Sequence, residues 1–178
     1  MNRPLHALFT LALLIFYSIV QANSTSTARE IDWMELLPPE EEVNNMLQQE
    51  GIANLSDDDP RAQELLRQWL ENAPVVEALD GERVKIPGFV VPLEMDTKAI
   101  REFLLVPYFG ACIHVPPPPA NQIVYVKVAE DNPYHGAQFD IVWVTGTLRV
   151  EHTSSEMGEA GYSIQAMLIE PYTEEDER

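Results

Sequence analysis

The chain has 178 residues, with 29 Asp and Glu against 11 Lys and Arg, a formal net charge of −18. A surface this negative repels phosphate backbones and anionic headgroups, which bind proteins by exchanging counterions for basic patches, so nucleic acid is excluded as a partner. The single cysteine, Cys112, excludes an intramolecular disulfide and stands as a free thiol, a ligand, a nucleophile or an intermolecular partner.

Arg3 provides a basic start, Leu8 to Val20 an apolar run, and Val20-Gln21-Ala22 the small residues a signal peptidase reads. The pattern predicts a signal peptide over residues 1–22, cleaved after Ala22, with an uncleaved anchor as the alternative. Such a chain is exported to the periplasm. No cysteine stands directly after the cleavage site, where Asn23 is found, so neither lipidation nor a stable membrane anchor is expected after cleavage. The remaining chain of about 155 residues is one domain's worth.

Residues 23–73 read as a polar leader and an acidic helical arm. Asn23 to Arg29 has no apolar period and reads as disordered. Ile31, Met34 and Leu37 follow helical spacing until Pro38-Pro39; Val43, Met46 and Leu47 repeat it in a second short helix that ends near Gly51. Ser56 is read as an N-cap, Asp57 to Asp59 suit the positive end of a helix dipole, and Pro60 fits a first turn. Ala62, Leu65, Leu66, Trp69 and Leu70 then form an apolar stripe, predicted to pack against the rest of the domain.

From residue 74 to 172 the period becomes that of strands, before an acidic tail at 173–178. Asp80-Gly81 is a turn, and Arg83 to Leu93 an extended run broken by Pro87-Gly88 and closed by Pro92. Phe103 to Val106, Ile123 to Ala129, Phe139 to Glu151 and Tyr162 to Glu170 complete the strands, with a polar loop after His152. Gly146, inside the longest, predicts a bulge or sharp bend. Five or six such strands after a helical prelude predict a mainly β fold with an N-terminal helical arm, built as a small antiparallel barrel of OB-like type; an open β-sandwich is the alternative.

The chemistry concentrates between Phe103 and Gln122. Cys112 and His114 are two residues apart, and in an extended segment such side chains leave the same face. Thiolate and imidazole together suit zinc or copper. Further ligands are sought in His135, His152, Glu94 and Asp96, of which His135, in the loop Pro133-Tyr134-His135-Gly136, is the third residue assigned to the metal. As a nucleophile, Cys112 would need His114 or His135 to lower its pKa, and no protease, transpeptidase or C-x-x-C pattern surrounds it. As a structural residue, it is a small hydrophobe between Ala111 and Ile113. Pro116 to Pro119 form a stiff ledge, offered to a partner or shaping a pocket, and Asn121 and Gln122 hydrogen-bond backbone or ligand beside it.

Three groups of residues carry a resemblance: Ile86-Pro87-Gly88-Phe89-Val90-Val91-Pro92-Leu93, the run from Glu102 through Gly110-Ala111-Cys112-Ile113-His114-Val115-Pro116 to Gln122, and Val144-Thr145-Gly146-Thr147-Leu148 with Tyr162 and Glu170-Pro171-Tyr172. The chain resembles an uncharacterised bacterial family of exported proteins, a domain of unknown function, over about residues 80–172. The resemblance implies a periplasmic protein found beside ABC transporters of the lipoprotein-release and macrolide-export type, in some cases in zinc-responsive gene clusters. Lipid-anchored members carry a cysteine that this chain lacks. The combined expectation is a non-enzymatic periplasmic accessory protein that binds zinc through Cys112, His114 and His135 and meets an ABC transporter subunit. Two alternatives accompany it: an interaction module using the proline ledge with exposed Tyr108 and Phe109, Cys112 being structural, and a thiol-dependent enzyme.

Overall fold

The computed structural model describes residues 27–56, 59, 61–94, 99–113, 117–129, 133–173 and 175–176. The expected signal peptide and most of the polar leader lie outside them, as do Asp57, Asp58, Pro60, Asp96 and His114. The chain is mainly β. In order it forms β1 (Arg29–Glu30), a 3-10 turn at Trp33–Leu36, helices α1 (Glu40–Gln49) and α2 (Ala62–Glu71), then β2 (Arg83–Pro92), β3 (Glu102–Val106), β4 (Val124–Lys127), β5 (Ile141–Ser155) and β6 (Gly158–Pro171).

The six strands make one mixed sheet in the order β1-β2-β3-β4-β6-β5, and β2 also pairs with β5, so five strands are hydrogen-bonded in a ring. One sheet, rather than the two of a sandwich, carries the core. The expectation of a purely antiparallel sheet is corrected: β4 runs parallel to β6, and β1 parallel to β2. Parity gives the reason. Directions cannot alternate all the way round a ring of five strands, so one neighbouring pair must run the same way.

Alternation decides what each strand buries. Val84, Ile86 and Val90 of β2, Phe103 and Leu105 of β3, Val124 and Val126 of β4, and Val142, Val144 and Leu148 of β5 enter one buried cluster. The opposite faces are not left to solvent. Val91, Leu104, Val106 and Tyr125 join Ala111, Ile123 and Ala160 in a second cluster, with Cys112, Ile113 and Met157 packed at its edge. This is why Phe103 to Val106 is an unbroken apolar run: both faces of β3 are covered, one by the ring and one by the loop that follows it.

Pro87-Gly88 does not interrupt β2, contrary to expectation. Lys85 presents its carbonyl to Ile31 at 3.0 Å, and Val90 its amide to Asp140 at 3.0 Å, so odd-numbered residues of β2 face β1 and β3 while even-numbered ones face β5. Pro87 therefore turns its missing donor into the interval between the β1 and β3 pairings, and no ladder bond is lost. Its carbonyl accepts Trp33 Nε1 at 2.7 Å. Gly146 meets the expectation of a bulge: the β5–β6 register shifts between Thr145 and Gly146. A Cβ there would lie 2.3 Å from Gln165 O.

The arm divides into a part with buried residues and two helices with none. Ile31 and Leu36 belong to the main buried cluster, and Tyr162, fully buried, donates its hydroxyl to Leu36 O at 2.9 Å while accepting Val76 N–H at 2.6 Å. Arg29 pairs with both Glu35 and Glu82. The expected first helix is only the Trp33–Leu36 turn, capped by Asp32. α1 ends before Gly51, which takes the left-handed conformation at φ 73°. α2 begins after Arg61, not next to Ser56, and none of its residues is buried. The apolar stripe expected to pack on the domain is divided: Ala62, Leu65 and Trp69 are half-buried, whereas Leu66 and Leu70 are exposed.

Candidate functional site

The loop after β3 turns sharply because two of its residues are left-handed, Gly110 at φ 84° and Cys112 at φ 64°. Glycine adopts this region freely; a residue with a Cβ does so at a cost of about 1–2 kcal/mol. Fully buried Ala111 between them and Ile113 beyond them, both packed on the second cluster, hold the turn. Beyond it Pro118 is buried and Pro117 exposed. Asn121 Nδ2 donates to Pro74 O at 2.7 Å and Gln122 Nε2 to Trp33 O at 2.9 Å, so both amides fix the course of the chain.

The ledge forms one wall of a groove of about 580 Å³. The facing wall is α2, through Gln63, Leu66, Arg67, Leu70 and Glu71, which recur at helical spacing and share one face. Its end is the β5–β6 hairpin tip, Ser155 to Glu159, and Cys112 lies on the floor beside Pro117 and Pro118. Gly158 lies against both: a Cβ there would stand 3.2 Å from Ile123 Cδ1, 3.4 Å from Pro117 and 3.7 Å from Cys112 Sγ. Among the described residues, Glu71, Glu156 and Glu159 line the groove with one cation, Arg67, which is bridged to Glu64 at 2.7 Å and Glu71 at 2.5 Å.

Cys112 is free and half-buried, and burial pushes its thiol up to about 11. In the absence of a metal the thiol form is favoured at neutral pH, the form inert in nucleophilic attack. His135 is exposed and lines a different cavity of about 220 Å³ with Tyr134, Met167 and Leu168. That cavity borders Ala166 to Ile169 of β6, whereas the groove borders Gly158 and Glu159 at the strand's other end. The structure thus does not bring His135 to Cys112, and His114 is outside the described residues. His152 Nε2 sits 3.2 Å from Glu71 O and 3.5 Å from Glu159 Oε2, tying α2 to the hairpin. Glu94 is exposed. Among the described residues no three His, Cys, Asp or Glu side chains gather in a way that would hold a metal ion.

Tyr108 and Phe109 are exposed, and Phe109 stacks at 4.6 Å from Phe139 and 6.2 Å from Phe89. The sequence reading missed the hairpin tip. In place of a polar loop after His152, β5 continues to Ser155 and turns directly into β6. The signal available was the Glu156-Met157-Gly158 turn, where Gly158 takes φ 153°.

Fold and site together define a mainly β protein in which a ring of strands and an appended helix enclose an open, apolar, acidic-rimmed groove. No helix among the described residues is long and apolar enough to cross a membrane. Residues 33–171 match the model of a protein family of unknown function, DUF3299, and the chain belongs to that family. It is similar to a crystal structure of a DUF3299 family protein from Pseudomonas aeruginosa PAO1, with 43% identity over 83% of this chain and 97% of that one and a TM-score of 0.59. No curated protein matches the chain.

Proposed function

We propose that the protein is a non-catalytic, exported binding module that receives a polypeptide segment of a partner in the groove between α2 and the proline ledge. The observation that carries this reading is the exposed part of the α2 stripe. Leu66 is 51% and Leu70 36% exposed, and both face the groove that Pro117, Pro118 and Met157 line on its other sides. Exposed leucines in register on one helix face, opposite an apolar wall, form a surface that gains by being covered. An ABC transporter subunit in the periplasm, the partner implied by the family resemblance, is the class of partner this reading takes. The ring order of β2 to β6, with its one parallel pair, supports an OB-like description of the fold. In this fold the outer faces of β3 and β4 are covered by the chain's own loop, which closes those faces to a partner.

The zinc reading is the second. On its side stands the opening of the Cys112 thiol onto a groove that Glu156 and Glu159 also line, so that sulfur, the neighbouring His114 and carboxylate oxygen would be the donors. Ligation requires the thiolate, which a bound zinc ion itself generates, so the ion would have to offset the cost of ionising a half-buried thiol.

One set of preparations separates the two. A photo-crosslinker placed at Leu66 or Met157 in the exporting cell is expected to trap a discrete partner, with Ile141, exposed elsewhere, as the control position. Equal trapping from Ile141, or none from the groove, overturns the binding reading. Metal analysis of the reduced protein beside Cys112→Ser and His114→Ala is expected to show no difference. Stoichiometric zinc lost in both variants would establish the second reading instead.

A further inference from the structure

Resting on the groove as a polypeptide site, the geometry points to the chemistry of its occupant: we infer that the groove takes a cationic amphipathic segment, with apolar side chains against Leu66, Leu70 and Met157 and Lys or Arg at the rim. Three observations converge on it. The groove's inner surface is apolar, supplied by Leu66, Leu70, Met157, Pro117 and Pro118. Its charge balance is one-sided: Glu156 and Glu159 on the hairpin tip line it, whereas Glu71 on the helix wall is bonded through both oxygens to Arg67. The lone arginine does not offset them, because Arg67 is already held by Glu64 and Glu71, whose hydrogen bonds raise its pKa further.

Each class of occupant is tested against those facts. An acidic or phosphorylated peptide meets the carboxylates of the hairpin tip and a net charge of −18 beyond them, and like charges placed opposite each other cost several kcal/mol in recognition. An uncharged apolar segment fills the floor but leaves the rim carboxylates facing its ends. A segment carrying basic residues outside its apolar ones satisfies both layers. The carboxylates supply steering and register and the leucines supply the area buried from water. α2 spans ten residues, about 15 Å at 1.5 Å per residue, which sets the length of the segment it can line.

The chain's only cysteine lies on the groove floor, so its alkylation rate reports occupancy directly. The probes are two amphipathic peptides of about 12 residues, one of Leu and Lys and the other of Leu and Glu in the same order. With iodoacetamide at pH 8.5, the Leu/Lys peptide is expected to slow alkylation of Cys112 at least fivefold at saturation, and added salt to weaken the effect. The double variant Glu156→Gln with Glu159→Gln should raise the half-protecting concentration about tenfold and flatten the salt dependence. Leu66→Asp with Leu70→Asp should abolish protection, with an unchanged thermal midpoint showing that the fold is intact. Equal protection by both peptides overturns the charge assignment while the groove reading stands. Protection by neither peptide overturns both, and protection by phosphatidylcholine vesicles alone makes the occupant a membrane and overturns the inference.

Discussion

Tyr162 joins three parts of the chain through one hydroxyl. It donates to Leu36 O, accepts from Val76 N–H, and lies with its ring among the residues of the main core. Tyr162→Phe keeps the ring and removes the hydroxyl, leaving a buried carbonyl and an amide without that partner. The expected loss is about 1–3 kcal/mol, measured by urea denaturation, and a loss below about 0.5 kcal/mol would mean that water takes over both groups. Burial pushes the phenol up to about 12, above the ordinary value of about 10. A raised pKa contributes stability that is fully present below the unfolded value and lost as pH rises, here between about 10 and 12. The variant should therefore lose less stability than the wild type across that alkaline window. Nothing in the one-dimensional sequence separates this tyrosine from the other five: its role depends on partners 126 and 86 residues away.

At the level of elements, glycine and proline positions mark where strands meet closely. Gly146 sits at the β5–β6 bulge, and a Cβ there would fall 2.3 Å from a backbone oxygen and 2.6 Å from Ile164 Cγ2. A backbone atom cannot swing aside as a side chain can. Gly146→Ala is expected to destabilise by about 1–3 kcal/mol, checked by the shift in urea midpoint at unchanged slope. A neutral result would show that the bulge can migrate along β6. The bulge was legible because a glycine inside a long apolar alternation has few other uses. Pro87-Gly88 looked the same and was not a break, since what matters is which edge of β2 the proline nitrogen faces, and that is set by pairings with β1, β3 and β5. The stripe of α2 shows a related limit: amphipathic spacing reports that one face is apolar, not what covers it.

The whole molecule is a double-cored ring with an arm that joins it unevenly. Residues 29–37 are pinned by Ile31, Leu36 and the Trp33 and Tyr162 hydrogen bonds, whereas α1 and α2 bury no residue at all. Helices held by few buried contacts open locally at low cost. Amides of Glu40–Gln49 and Ala62–Glu71 should accordingly exchange with solvent well ahead of those in β2 to β6, as native-state hydrogen exchange would measure. Protection of α2 equal to that of β3 would mean that it belongs to the cooperative core, and that the groove is rigid. By itself the sequence determined the mainly β content, the approximate strand positions and the exclusion of a disulfide, because these follow from local alternation, turn chemistry and a count of sulfurs. Only the tertiary structure decided that one strand pair must run parallel, that Cys112 and His135 line separate cavities, and that a helix face, a proline ledge and a hairpin tip share one groove. Those depend on ring closure and on contacts between residues far apart in the chain, which periodicity along a single strand or helix does not encode.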